Sequence, residues 1–173
     1  MQCLVAAVLC LTLFGRGLPA TAEKELSVSA KGAVLIEAQS GRVLFEQDAN
    51  KRLPMASTTK ILTALMTLES YDIQQPFVVN ANAIRVEGTS MGLRKGDQVT
   101  KRILAVGMLL SSGNDAANAA AVAVCGSVEK FVQAMNQRVK QMGLKDTCFE
   151  TPSGLDGKNH YTTAKELALI ARE

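Results

Sequence analysis

Hydrophobic positions divide the chain into an early region of short, strand-like runs and a later region of helical repeats. Residues 33–37 (AVLIE) and 42–46 (RVLFE) are apolar runs separated by the turn-forming segment 39–41 (QSG). Two such runs around a glycine-containing turn predict a β-hairpin. A shorter run at 76–79 (PFVV) predicts one more strand.

Apolar residues recur at helical spacing in the rest of the chain. Residues 58–70 form a stripe that is nearly all apolar, so this helix is expected to be deeply buried. A second helix is expected at about 100–110, capped by Thr100, and an alanine-rich one at 115–124. Together with the hairpin, these segments predict an α+β fold.

Two further helices carry recognisable end signals. Ser127 is a candidate N-cap for a helix that ends at Gly143, and its apolar residues share one face. The last helix follows Thr163, which with Glu166 has the spacing of a capping box. A lone hairpin is marginally stable in water, so the strands that would pair with it are expected to lie outside this sequence.

The first 22 residues resemble a secretory signal peptide. An apolar run from Leu4 to Phe14 is followed by Ala20-Thr21-Ala22, a small-x-small cleavage site, although no basic residue precedes the run. The alternative is an uncleaved hydrophobic anchor. We expect export by residues 1–22, leaving 23–173 as one partial domain at the periplasm or outer face of the cytoplasmic membrane.

Composition indicates a globular protein. The chain has 173 residues, 47% hydrophobic and 20% charged, with a formal net charge of +3. Its basic residues are dispersed, so no nucleic-acid partner is expected. Cys125 and Cys148, the cysteines beyond the leader, are expected to be buried small apolar residues, and a bridge between them stays open.

Ser57 and Lys60 are the first candidates for chemistry. A serine is a weak nucleophile that needs a nearby base, and an i, i+3 spacing places both side chains on one face of a helix. Lys60 would serve if burial lowered the pKa of its ammonium. The alternative is that Ser57 is only an N-cap and Lys60 a solvated residue.

A second short motif lies between two predicted helices. Ser112, Gly113 and Asn114 form a loop whose serine and asparagine could face Ser57 across a cleft. Taken alone, these residues are better explained as a loop with an ordinary N-cap, in which Ser112 or Asn114 caps the alanine-rich helix. Penicillin-binding proteins and class A β-lactamases combine an S-x-x-K motif, a loop of the S-D-N type and a K-T-G triplet, in this order.

The chain resembles the serine D-alanyl-D-alanine carboxypeptidases, which are low-molecular-weight penicillin-binding proteins, from about residue 30 to its end. The resemblance rests on successive sequence blocks: 55–60 (MASTTK), 91–97 (MGLRKGD), 109–117 (LLSSGNDAA), 142–149, 152–156 (PSGLD) and 161–173. It implies a β-lactamase/transpeptidase-like fold, here the N-terminal hairpin plus the helical part, with the remaining strands of an antiparallel sheet missing.

The resemblance also implies roles for four residues. Ser57 matches the acylated serine, Lys60 the general base, Ser112 the serine that relays a proton to the leaving group, and Asn114 the asparagine that binds the substrate amide. The implied substrate is a peptidoglycan stem peptide ending in D-Ala-D-Ala, and β-lactams would be covalent inhibitors. No cofactor or metal is implied. His160, the single histidine, is not expected to be catalytic.

One motif of the family is absent, because no Lys-Thr-Gly or Lys-Ser-Gly occurs in these residues. We therefore expect a fragment that hydrolyses D-Ala-D-Ala peptides poorly or not at all. Attachment to the membrane surface would have to come through a missing C-terminal part. Two alternatives remain: a serine β-lactamase, against which Gly113 argues because class A enzymes carry Asp there, and a non-catalytic, peptidoglycan-binding remnant.

Overall fold

The computed structural model describes residues 26–155 and 157–173, so the predicted signal peptide lies outside the described residues. Within them, short strands precede and interrupt a set of helices. The strands are β1 Ala33–Ile36, β2 Val43–Gln47, β3 Phe77–Val78 and β4 Gln98–Val99. The helices are a 3₁₀ turn, Ala56–Thr59, and α1 Lys60–Leu68, α2 Lys101–Leu110, α3 Asn114–Cys125, α4 Val128–Gln141 and α5 Ala164–Arg172.

The predicted hairpin is confirmed. β1 pairs antiparallel with β2, and Leu35 lies opposite Phe45. Its turn is held by the carboxylate of Glu37, which accepts hydrogen bonds from the backbone N–H groups of Gln39 and Ser40. Arg172 of α5 donates to the carbonyl oxygens of Ala38 and Gln39 (2.8 and 2.7 Å). The hairpin is therefore fastened to the last helix.

Two apolar clusters stabilise the helical part, and α1 contributes to both. Leu62 packs with Phe131, Met135 and Ile170 in a cluster that joins α1, α4 and α5. Each such buried side chain contributes about 1.5–3 kcal/mol relative to an exposed one. The second cluster contains Ala64 of α1, the residue that follows β3, and side chains of β4, α2 and α3: Val79, Val99, Leu104, Ala105, Met108, Ala116, Ala119 and Ala120.

The predicted helix caps are confirmed, with one correction. The hydroxyl groups of Thr100, Ser127 and Thr163 each accept a hydrogen bond from the backbone N–H three residues later. The capping box at Thr163 is only half formed, because the Glu166 carboxylate turns away from the helix. It accepts hydrogen bonds from the N–H groups of residues 145 and 146 and from the Thr147 hydroxyl.

Cys125 and Cys148 are free thiols and are only partly buried, so the expectation that both are buried is wrong. Desolvation by burial raises the pKa of both thiols above the ordinary value. No helix among the described residues is long and apolar enough to cross a lipid bilayer.

Candidate active site

Ser57 lies on a tight turn that opens α1. Ala56, immediately before it, has a φ of 44°, a left-handed conformation that costs a non-glycine residue about 1–3 kcal/mol. The chain then forms the 3₁₀ turn, and α1 begins only at Lys60. The helix predicted from residue 58 therefore starts later than expected. Ser57 is exposed and its side chain caps neither helical segment, so the interpretation as a simple N-cap is wrong.

Lys60 lies at the centre of a buried hydrogen-bond cluster. Its side chain is 2% exposed, and its Nζ atom lies 3.2 Å from Ser57 Oγ, 2.8 Å from Asn114 Oδ1 and 2.6 Å from the carbonyl oxygen of Ser153. Desolvation by burial lowers the pKa of Lys60 below its ordinary value of 10.5. The interpretation of Lys60 as a solvated residue is wrong.

The geometry also orients the amine. A neutral amine has two N–H donors and one lone pair, whereas an ammonium has three donors. The amide oxygen of Asn114 and the carbonyl oxygen of Ser153 can only accept hydrogen bonds, and together they engage two N–H groups. The third direction points to Ser57 Oγ, the one partner that can also donate. A neutral Lys60 that donates to Asn114 and Ser153 would therefore have its lone pair facing the Ser57 hydroxyl.

The Ser112-Gly113-Asn114 loop reaches this cluster through Asn114. Gly113 is the N-cap of α3, and no side chain caps the helix there, so the N-cap interpretation of Ser112 and Asn114 is also wrong. Asn114 is 4% exposed and divides its amide between two partners, with Oδ1 on Lys60 and Nδ2 donating to the carbonyl oxygen of Glu87 (2.7 Å).

Ser112 lies beside the cluster rather than in it. Its φ is 54°, a second left-handed non-glycine residue at this site. Its carbonyl oxygen accepts a hydrogen bond from Thr89 Oγ1 (2.5 Å), whereas its own hydroxyl makes none to any residue that the structure describes. The hydroxyl is thus not engaged with Ser57 or Lys60.

Asp115 fastens the neighbouring segment to the start of α3. Its carboxylate is 2% exposed and accepts hydrogen bonds from Ser90 Oγ (2.6 Å) and from the N–H groups of Met91, Gly92 and Leu93. Burial would raise its pKa, but hydrogen bonds from Ser90 and from backbone N–H groups outweigh that effect and lower it. Asp115 lies within the 109–117 block that carries the family resemblance, but the sequence predicted no role for it.

Residues 152–154 form a wall along one side of the Lys60 cluster, and the sequence predicted no role for them. Pro152, Ser153 and Gly154 are buried. Ser153 supplies the carbonyl oxygen that binds Lys60, and Pro152 supplies one that accepts from Thr63 Oγ1 at 2.7 Å. The motif 152–154 (PSG) was the signal in the sequence that could have pointed to this wall. Its contacts with Lys60 and Thr63, however, are made by backbone carbonyl groups.

His160 is a buried neighbour of this wall. Its Nδ1 accepts a hydrogen bond from the N–H of Glu150 (2.9 Å), so in the neutral ring the proton resides on Nε2. Nε2 lies 2.7 Å from Thr59 Oγ1. His160 thus links the turn that carries Ser57 to the segment that precedes Pro152.

Comparisons with known proteins agree on one family. A family model described as D-alanyl-D-alanine carboxypeptidase matches residues 19–173. D-alanyl-D-alanine carboxypeptidase DacF of Bacillus subtilis is 38% identical over 154 residues, which cover 86% of this chain and 40% of the relative. The chain therefore spans less than half the length of this relative.

Solved structures show the same similarity. The D-alanyl-D-alanine carboxypeptidase of Mycobacterium tuberculosis H37Rv superposes with a TM-score of 0.81 at 34% identity, covering 91% of this chain and 60% of that structure. Penicillin binding protein 6B of Escherichia coli superposes with a TM-score of 0.81 at 29% identity, covering 88% and 52%. The expected fold class, the penicillin-binding-protein type of α+β fold, is thereby confirmed.

Proposed function

Because this chain belongs to the D-alanyl-D-alanine carboxypeptidase family, we propose that the natural protein is a serine-type carboxypeptidase. It removes the terminal D-Ala from peptidoglycan stem peptides that end in D-Ala-D-Ala. The observation that carries the proposal is the Lys60 cluster, in which a buried amine faces the hydroxyl of the exposed Ser57 at 3.2 Å.

The first half of the reaction is acylation. Ser57 Oγ attacks the carbonyl carbon of the penultimate D-Ala while its proton passes to the neutral Nζ of Lys60. The resulting tetrahedral intermediate collapses with cleavage of the carbon–nitrogen bond, and terminal D-Ala leaves after its nitrogen takes up a proton. We assign that step to Ser112 as a relay: its hydroxyl gives a proton to the leaving nitrogen and regains the proton that Lys60 took from Ser57, and it has no hydrogen-bond partner among the described residues.

The second half releases the acyl group. Water attacks the ester on Ser57 while one of its protons passes to the neutral Lys60. The ester bond then breaks, and Ser57 Oγ takes that proton from Lys60 to re-form the hydroxyl. Asn114 is the proposed substrate-amide ligand, which requires that part of its amide face the cleft although Oδ1 and one Nδ2 hydrogen are engaged by Lys60 and Glu87. A β-lactam presents a strained amide to the same serine and would leave a stable acyl-enzyme.

The proposed location follows from the proposed substrate. Peptidoglycan lies outside the cytoplasmic membrane, so the protein must act in the periplasm or at the outer face of that membrane. The predicted leader at 1–22 supports export.

A test uses the natural full-length protein and a penicillin. Mass spectrometry should show one adduct on the peptide that contains Ser57, and Ser57→Ala should abolish both the adduct and the release of D-Ala from a D-Ala-D-Ala peptide. An unmodified Ser57 would refute the proposal. Rapid turnover of the penicillin without release of D-Ala would instead identify a β-lactamase.

A further inference from the structure

Three buried threonines line one face of the first helical segment. Thr59, Thr63 and Thr67 are spaced four residues apart and are each at most 1% exposed. Residues at this spacing lie one above the other on a helix. Their hydroxyl groups nevertheless have different partners: that of Thr59 pairs with His160, that of Thr63 with the carbonyl oxygen of Pro152, and that of Thr67 with a carbonyl oxygen of the same helix.

Thr63 reaches across to the wall that binds Lys60. Its Oγ1 lies 2.7 Å from the carbonyl oxygen of Pro152 and 3.5 Å from that of Thr59, the last residue of the 3₁₀ turn, so its single proton is directed to Pro152. Thr67 Oγ1 donates only within the helix, to the carbonyl oxygen of Thr63 (2.6 Å).

Lys60 and Thr63 therefore hold two consecutive carbonyl groups. Lys60 Nζ binds the carbonyl oxygen of Ser153, and Thr63, three residues further along the same helix, binds that of Pro152. Because a peptide unit is planar, fixing the Pro152 carbonyl also fixes the plane of the bond that leads to Ser153. The position of one carbonyl group thus limits the position of the next.

We propose that Thr63 is a positioning residue for the acylation of Ser57. By holding the carbonyl of Pro152, it keeps the carbonyl of Ser153 in place to engage one N–H of Lys60, and so leaves the amine aimed at Ser57. The proposal rests on the proposed function, since it concerns the same serine and the same base.

Loss of the Thr63 hydroxyl would leave a buried carbonyl without its donor. A buried polar group without a partner is costly, so the segment at 152–154 would move to find one. The carbonyl of Ser153 would move with it, and Lys60 would gain freedom to turn away from Ser57. A misplacement of about 1 Å can slow a reaction by about a hundredfold.

No charged side chain competes for Lys60 among the residues that the structure describes. Its Nζ faces Ser57 from the 3₁₀ turn, Asn114 from α3 and a backbone carbonyl from 152–154. The titratable groups on the packed elements have other partners: Asp115 is bound to the 90–93 segment, and His160 to Thr59 and Glu150. The Lys60 amine is therefore oriented by neutral hydrogen-bond acceptors, and Thr63 would control the position of one of them, the carbonyl group of Ser153.

The experiment compares Thr63→Val with Thr67→Val in the natural full-length protein. Both replacements exchange a fully buried hydroxyl for a methyl group on the same helix. Stopped-flow kinetics with a chromogenic β-lactam separates the acylation rate constant from the dissociation constant of the noncovalent complex. Thr63→Ser, which keeps the hydroxyl, is the rescue variant, and Thr63→Ala replaces Thr63→Val if the latter does not fold.

We expect Thr63→Val to lower the acylation rate constant by about tenfold to a hundredfold, with the dissociation constant changed by less than about twofold. Thr67→Val and Thr63→Ser should acylate at the wild-type rate. Equal rate constants for Thr63→Val and Thr67→Val, or slow acylation by a folded Thr63→Ser, would overturn the proposal. Failure of the wild-type protein to acylate would instead count against the proposed function.

Discussion

A β-carbon on Gly154 would overlap the carbonyl oxygen of Ala56. Both residues have left-handed backbones, with φ values of +87° and +44°, and Ala56 immediately precedes Ser57. The turn that presents the serine and the wall that binds Lys60 are therefore in backbone contact, and only glycine fits on the wall side.

We predict that Gly154→Ala destabilises the fold and disrupts the serine turn. Gly143→Ala is a matched control, since Gly143 has a φ of +76° and no atom within 4 Å of its would-be β-carbon. The control should lose about 1–2 kcal/mol from left-handed strain alone. Gly154→Ala should lose more and should also acylate slowly, as measured by urea unfolding and penicillin labelling. Equal losses in the two variants would contradict this prediction.

Acylation of Ser57 should accelerate as the pH rises. Only neutral Lys60 can accept the proton, and burial holds its pKa below 10.5, so the rate should reach half its maximum at a pH below that value. Lys60→Arg keeps the positive charge but cannot deprotonate in this range, and should slow acylation by at least about a hundredfold. A rate constant that stays flat from pH 5 to pH 10 would argue against Lys60 as the base.

Ser112 allows stability and chemistry to be separated. Glycine adopts the left-handed conformation without strain, so Ser112→Gly should leave the free energy of unfolding unchanged or raise it by up to about 1 kcal/mol. Ser112→Ala keeps the strain and loses the hydroxyl. Both variants should release D-Ala more slowly than the wild type if Ser112 relays the proton. Full activity in either variant would remove Ser112 from the mechanism.

The stability supplied by Asp115 should depend on pH. Its pKa is lowered in the folded protein, so the carboxylate stabilises the fold above the ordinary pKa of about 3.8, and this contribution is lost as the pH falls through the lower, folded value. Asp115→Asn should cost about 1–3 kcal/mol at pH 7, because the amide replaces an acceptor with a donor.

The comparison for Asp115 is made by chemical unfolding at pH 7 and near pH 3. The wild type and Asp115→Asn should differ less at the lower pH. Asp97→Asn is a suitable control, since Asp97 accepts a hydrogen bond from the N–H of Arg94 in an exposed turn. A difference that does not change with pH would show that Asp115 acts through packing rather than charge.

The predictable parts of this molecule are those with local causes. The hairpin, the caps at Thr100, Ser127 and Thr163, and the helix end at Gly143 depend on neighbours a few residues away. The pairing of Ser57 with Lys60 was also predictable, because three residues separate them. The local backbone of this pair was not predictable, because Ala56 is left-handed and a 3₁₀ turn precedes the start of α1 at Lys60.

The unpredicted parts depend on backbone atoms brought from far along the chain. The carbonyl groups of Ser153 and Pro152 meet side chains 93 and 89 residues away, and a carbonyl is present in every residue. The hydrogen bonds of Asp115 to residues 90–93 were equally hard to predict. An acidic residue in the first turn of a helix is expected from the helix dipole, so its hydrogen bonds to residues 90–93 left no separate mark on the sequence.

The alanines of α3 have a consequence for how this protein can vary. Five of its twelve residues are alanines at most 3% exposed, and they let α1, α2 and α4 approach one short helix. Alanine is ordinarily among the residues most freely replaced, but here any larger side chain would push neighbouring helices apart and shift Asn114 at the helix start. Neutral drift should therefore be slowest along a stretch that looks, in composition, like the plainest part of the chain.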